Sequence, residues 1–238
     1  MSKSITIALD VMSGDNGPEP ALNGAVKSLR NHDDLKVILV GDKNIINIFT
    51  DSLDNSINNR ITIEHTEEYI RMDEDVMHSI RNKKNSSMRI AINCVKQNRA
   101  DACVSAGNTG ALMSLSKIIL KTISGVDRPA ICTSLPTKNS FMQVLDLGAN
   151  IECDAENLFQ FAVMGSAVVE SLEITKKPRV GLLNIGSEEF KGKNEIKSAA
   201  DLLNASNLNY VGFVEGDQMF SGEYDVIVTD GFTGNIAL

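Results

Sequence analysis

The chain reads as short apolar runs separated by longer stretches of amphipathic spacing. The runs lie at Ile5–Leu9, Lys36–Val40, Ile61–His65, Ala102–Ser105, Ala130–Ser134, Gln143–Leu147, Arg179–Asn184, Tyr210–Glu215 and Asp225–Thr229, and most are continuously apolar rather than alternating. A continuous run reserves no face for water, so these predict strands of a sheet covered on both sides. Between several of them the apolar spacing changes to three and four. Glu19–Arg30 sets Ala21, Leu22, Ala25 and Leu29 on one face. Met88–Gln97 follows the cap signal Ser86-Ser87 and repeats Ile90, Ala91, Cys94 and Val95, while Gly110–Thr122 and Ala155–Leu172 give two further helices. Strands alternating with helices predict an α/β fold, a mostly parallel sheet flanked by helices. Asn55–Arg60 reads as a polar surface turn and Glu67–Asn85 as a long charged connection. No low-complexity linker divides the chain, so residues 1–238 are expected to form a single α/β unit or two intimately joined subdomains.

In open α/β sheets, ligands sit beyond the carboxyl ends of the strands, so the residues just after each run carry the most information. Five such junctions are unusual. The first, Asp10-Val11-Met12-Ser13-Gly14-Asp15-Asn16-Gly17-Pro18, is also ordinary turn chemistry. The second, Ser105-Ala106-Gly107-Asn108-Thr109-Gly110, exceeds what a helix cap requires. Its small side chains admit a ligand to the backbone, and the next helix aims its positive end there. The third is Asp146-Leu147-Gly148-Ala149-Asn150, with Asp146 in an otherwise apolar strand. That carboxylate either ties down a neighbouring loop or serves chemistry, since burial is costly without partners. The fourth, Asn184 to Lys193, combines a glycine turn with Glu188, Glu189, Lys191 and Lys193; Glu189 and Lys193 read as solvated, Lys191 and Glu188 as candidates. Finally, Thr229-Asp230-Gly231-Phe232-Thr233-Gly234-Asn235 follows the last strand and opens a helix, the pattern of an anion cradle.

Charge sharpens this picture. The net charge of −8 argues against nucleic-acid binding. An anionic ligand must therefore meet helix N-termini or a local basic patch. The densest such patch is Arg81-Asn82-Lys83-Lys84 with Arg89, placed to dock an acidic partner or grip an anion. Arg128, in Asp127-Arg128-Pro129, is expected at the opposite sheet end in a structural ion pair if its strand is parallel. Cys94, Cys103, Cys132 and Cys153 lack C-x-x-C spacing and read as unpaired thiols of a reducing compartment. No signal peptide or membrane-length apolar run is seen, so a cytoplasmic location is expected. His32, His65 and His78 lie away from every junction, leaving no zinc set and no Ser-His or Cys-His pair. Neither metal nor cofactor is expected. Chemistry here would proceed by positioning and backbone electrostatics, with a substrate as the nucleophile.

At Ala8–Asp15, Ser105–Met113, Asp127–Ala130, Leu145–Asn150, Phe161-Ala162 with Met164-Gly165, Leu182–Glu188 with Lys191-Gly192, and Asp225–Asn235, the chain resembles the acyl-carrier-protein:phosphate acyltransferase family of bacterial phospholipid synthesis. The matches run in order along its whole length. Ser13 departs from the glycine usual in that pattern, and family members continue beyond residue 238 with helices implicated in dimer and membrane contact. The resemblance implies a fold similar to isocitrate and isopropylmalate dehydrogenases and to phosphotransacetylases. It implies that inorganic phosphate attacks the thioester of an acyl-carrier protein, giving an acyl phosphate for a membrane glycerol-3-phosphate acyltransferase. It further implies a homodimer with possible peripheral membrane contact.

On these grounds phosphate is expected on Gly107, Thr109 and Gly110 and on Gly231, Thr233, Gly234 and Asn235, with Lys191 nearby. Asn108 or a helix N–H would stabilise the oxyanion, and Asp146, Asp230 or Glu188 would handle the phosphate proton. Arg81, Lys83, Lys84 and Arg89 would receive the acidic carrier. The alternatives are a phosphotransacylase using coenzyme A thioesters and a non-catalytic scaffold binding the carrier and the membrane acyltransferase.

Overall fold

The computed structural model describes residues 4–186, 188 and 191–238. The chain divides into two compact units, Met1–Lys121 and Thr122–Leu238.

In the first unit β1 (Ile5–Asp10), β2 (Leu35–Gly41), β3 (Ile61–His65) and β4 (Ala102–Ser105) lie in the order β3-β2-β1-β4. All neighbours are parallel, which demands the helical crossovers that the sequence supplies. These are α1 (Pro18–Asn31), α2 (Lys43–Thr50), α3 (Asn55–Asn58), α4 (Val76–Asn82), α5 (Ser87–Lys96) and α6 (Thr109–Leu120). Leu22 and Leu29 of α1 bury against Val37 and Leu39 of β2 with Ile46 and Ile57, while Met88 and Ile92 pack with Ala111 and Leu115. The β1–β4 register sets Asp10 directly beside Ser105, so two strand ends deliver two polar residues to one spot.

In the second unit β5 (Thr133–Pro136), β6 (Phe141–Leu145), β7 (Arg179–Leu183), β8 (Asn209–Val214) and β9 (Val226–Val228) lie in the order β5-β6-β9-β7-β8. Only β5 is antiparallel to its neighbour. The helices are α7 (Ala155–Ser171), α8 (Asn194–Asn204) and α9 (Gly231–Ala237). A capping box starts α7: Asp154 accepts from the Asn157 N–H, and the Asn157 side chain accepts from the Asp154 N–H. Phe161, Ala162 and Val169 of that helix bury against Val180, Leu182, Val226 and Val228.

Several expectations change. The Asn55–Arg60 turn contains the short helix α3, and the charged connection contains α4, capped by Asp75 on the His78 N–H. Helix α8 had a readable signal in Ile196, Ala199, Ala200 and Leu203, spaced at one helical face. The run expected at Gln143–Leu147 ends as a strand at Leu145, so Asp146 stands just past it rather than inside. The run at Ala130–Ser134 begins at Thr133 and turns back on its neighbour, which moves Arg128 to the other end of the sheet from the one expected.

Candidate functional site

The first unit brings two of the junctions together. Asp10 is fully buried; its carboxylate accepts from Ser105 Oγ at 2.7 Å and from the Met12 N–H at 3.3 Å. Ser105 Oγ in turn accepts from the Gly107 N–H at 3.1 Å, so a buried acid fixes the turn before α6. A Cβ on Gly107 would stand 2.6 Å from the Ser13 Cβ, so only glycine lets the two turns approach this closely.

Asn108 caps α6, its Oδ1 accepting from the Ala111 N–H at 3.0 Å, while its Nδ2 donates to the Met72 carbonyl at 3.0 Å. Both ends of that amide are thus engaged in structure, which favours backbone N–H groups over Asn108 as the oxyanion donors. Those of Thr109 and Gly110 remain, because no intrahelical carbonyl reaches the first turn of a helix.

The basic run is divided. Lys83 pairs with Glu74 and donates to the Tyr69 carbonyl, and Arg89 donates to the Ile80 carbonyl at 2.6 Å. Burial pushes the Glu74 carboxyl up, but hydrogen bonds from Lys83 and Ser79 outweigh it and hold the group below its usual range. Arg81 and Lys84 stay exposed, Lys84 with only a long 3.4 Å contact to the Ile80 carbonyl.

The second unit gathers the other three junctions. Asp146 is fully buried, and its Oδ1 accepts from the N–H groups of Ile131 and Ala149 at 2.9 and 3.1 Å. Its Oδ2 accepts from the Asn150 N–H at 2.6 Å and from Asn150 Nδ2 at 2.8 Å. Four donors fill a carboxylate's acceptor sites, so the tie-down reading of Asp146 is the one its geometry favours.

Helix α9 packs onto this knot. A Cβ on Gly231 would meet the Asn150 backbone at 2.7 Å, and one on Gly234 would meet the Asp146 carbonyl oxygen at 1.9 Å. The Gly231 N–H donates to the Asn150 carbonyl at 2.7 Å, and the Thr233 N–H to Asp230 Oδ1 at 2.7 Å. These glycines answer to close packing, and the expected cradle is a largely satisfied helix start. Asn235 reaches back over Gly148, whose Cβ position lies 3.4 Å from its Oδ1.

Lys191 and Glu188 pair at 2.8 Å, both about half exposed, over Gly186. That hydrogen bond lowers the Glu188 carboxyl and raises the Lys191 ammonium, so each is largely neutralised by the other. Asn184 stitches the loop, donating from Nδ2 to the carbonyls of Gly186 and Lys191 at 3.1 and 3.2 Å. Ser187 and Glu189 lie outside the described residues.

In the second unit, two accessible cations are ones that the sequence undervalued. Lys193 is 72% exposed, with Nζ 3.9 Å from Asp230 Oδ2. Arg128 forms no ion pair among the described residues and only a 3.3 Å bond to the Glu152 carbonyl. With Asp154, Lys193 and Asp230 it lines a cleft of about 460 Å³. Its signal was the Asp127-Arg128-Pro129 motif, misplaced because strand direction cannot be read from apolarity. Burial raises all four thiols, Cys153 to about 11, which keeps them protonated at neutral pH. No helix among the described residues is long and apolar enough to cross a membrane.

Mostly parallel sheets flanked by helices put the chain in an α/β fold class that two solved structures share. The EutD phosphotransacetylase from Staphylococcus aureus superposes with a TM-score of 0.70 at 19% identity, over 98% of this chain and 80% of that one. A branched-chain phosphotransacylase from Enterococcus faecalis gives 0.63 at 16% identity, over 98% and 82%. The family model described as "Fatty acid synthesis protein" matches residues 5–238, and the chain belongs to that family. Its relatives place it among the acyltransferases. The protein named phosphate acyltransferase from Methylococcus capsulatus is 50% identical over 98% of this chain and 69% of its own length. That of Nitrosococcus oceani is 51% identical over 99% and 69%.

Proposed function

We propose that this chain transfers an acyl group from a thioester, carried by an acyl-carrier protein, to inorganic phosphate. The supporting observation is the start of α6, where Asp10, Ser105 and Gly107 lock a turn whose Thr109 and Gly110 N–H groups meet no side-chain cap among the described residues. Such a helix start binds a dianion through aligned donors and the helix dipole. The likeness to proteins named phosphate acyltransferase, over 98–99% of this chain and 69% of theirs, supports the same reading.

A phosphate oxygen attacks the thioester carbon, the carbon–sulfur bond breaks, and the phosphate proton passes to the departing sulfur. The products are an acyl phosphate and the free thiol. Of the three carboxylates considered for the proton, Asp146 is saturated and Glu188 is paired. Asp230 keeps one oxygen beside Lys193 and is the least committed of the three. Arg81 and Lys84 are the exposed cations assigned to an acidic carrier. Delivery to a membrane acyltransferase, membrane contact and dimerisation belong to the same proposal.

Thr109→Glu tests it. A carboxylate in the first helical turn favours the helix but repels phosphate from the same donors. The KM for phosphate should rise about tenfold or more, the effect of roughly 1.4 kcal/mol of lost anion binding, while the fold is retained. An unchanged phosphate KM in a folded protein rejects this site. The fold neighbours keep a second reading open, in which coenzyme A thioesters are the donors; comparing acyl-coenzyme A with acyl-carrier protein under identical conditions separates the two.

A further inference from the structure

The second unit holds an apolar groove of about 690 Å³ beyond the ends of β7 and β9, within the roughly 300–1,000 Å³ range of small-molecule sites. Leu183, Ile185, Ile196, Met219, Phe220 and Ile236 line it. Three of these leave large apolar side chains to water: Ile185 is 80% exposed, Ile236 69% and Phe220 42%. Contiguous exposed apolar surface of this kind marks a binding site more often than chance. One lip is polar and carries Lys193, Thr229, Asp230 and Thr233.

We propose that this groove holds the hydrocarbon tail of a long-chain acyl donor, with the carbonyl end at the Lys193–Asp230 lip. The inference rests on the acyl-transfer reading above and adds to it a location and a chain-length preference. An acyl thioester has the same layout as the groove: an apolar body that gains from leaving water, and one polar end. The lip is where the accessible ammonium of Lys193 and the carboxylate of Asp230 stand 3.9 Å apart. Asn184, 7% exposed, also lines the groove, with an Oδ1 that has no donor among the described residues. A second apolar groove, about 610 Å³ in the first unit between α1 and the sheet, is lined by small residues of α1 and bears Asp15 but no cation. It offers no cation to meet an acyl carbonyl oxygen.

The test fills each groove in turn. Gly216 lines the proposed groove and Gly24 the other; a Cβ on either meets nothing within 4 Å, and neither has a positive φ. Each buried methylene strengthens binding up to about fourfold. Gly216→Leu should therefore raise KM for a palmitoyl donor at least about tenfold while a butyryl donor stays within about twofold. Gly24→Leu should leave both unchanged. A fluorescent fatty acid gives a readout independent of turnover, undisturbed because the chain has no tryptophan. Its affinity should fall in Gly216→Leu and in Ile236→Ser, whose side chain is too exposed to matter for folding. Loss of binding in Gly24→Leu alone, or no binding by the unmodified protein, overturns the groove assignment. Fatty-acid binding without acyl phosphate from any thioester would retain the groove and reject the acyl-transfer reading.

Discussion

Asp10 in the first unit and Asp146 in the second stand at equivalent places: each follows or ends a β-strand, each is fully buried, and each precedes a small-residue turn. Their hydrogen bonds differ. Asp10 holds one hydroxyl and one N–H, and the hydroxyl passes its grip to Gly107, leaving the N–H groups of Thr109 and Gly110 uncommitted. Asp146 takes four donors from its own turn and the neighbouring strand entry, and α9 is sealed onto it through Gly231 and Gly234. One strand-end grammar thus serves two purposes, an open donor array and a closed structural knot. What separates them is whether the buried acid spends its acceptor sites next door or at one remove.

The largest expected effect breaks the knot. Asp146→Ala leaves four donors without an acceptor, each buried orphan costing about 1–3 kcal/mol. The second unit should lose about 4 kcal/mol or more, read as a fall in denaturant midpoint. Asp10→Ala strips only two donors and should cost roughly half as much. Equal losses would dissolve the distinction.

Next in size is a pair of glycine substitutions. Gly234→Ala drives a methyl to 1.9 Å from the Asp146 carbonyl oxygen, a backbone clash that only movement of α9 relieves. Overpacking of this kind costs about 1–3 kcal/mol. Gly110→Ala places its methyl 3.2 Å from a Val76 methyl at the tip of a side chain, and alanine in a helix recovers about 0.5–1 kcal/mol over glycine. Its stability should stay near that of the unmodified protein. A thermal shift for Gly110→Ala as large as that for Gly234→Ala would show that α6 is also sealed.

The sheets were legible because a covered parallel strand must be apolar throughout, and no tertiary information is needed to see that. Val37–Val40 and Val226–Val228 are buried along their entire lengths. The long helices were legible for the same reason, through one buried face. Short helices α3 and α4 were hidden by polar composition: each buries one or two residues, and of the two α4 alone has a side-chain cap, Asp75 on the His78 N–H. In the candidate site, the sequence marked the turns but not which of their donors remain free. Gly231 and Gly107 look alike in a string of letters; one touches the Asn150 backbone and the other Ser13 and Met88. Arg128 was lost to strand direction, which is set by the short Thr137–Ser140 connection between β5 and β6 rather than by anything in the motif itself.

The smallest effect concerns the opposite end of the second sheet, where chemistry is not expected. Arg179, at the start of β7, meets Asp225 through Nε at 3.0 Å and a terminal nitrogen at 2.9 Å. Burial raises the Asp225 carboxyl, but the hydrogen bonds and charge of Arg179 outweigh it and hold the group below its ordinary value of 3.8. A depressed folded-state value means the stabilisation is fully present above that ordinary value and is lost as pH falls through the lower, folded one. Because Arg179 is 42% exposed, solvent limits the pair to about 1 kcal/mol. Asp225→Asn should therefore lower stability by that much at neutral pH, and the gap to the unmodified protein should close as pH drops below about 4. Acyl phosphate formation at neutral pH should be unaffected, since this pair lies at the strand starts while the open donors and the lysine lip lie at strand ends. A rate loss in Asp225→Asn with stability preserved would place chemistry at the wrong end of the sheet.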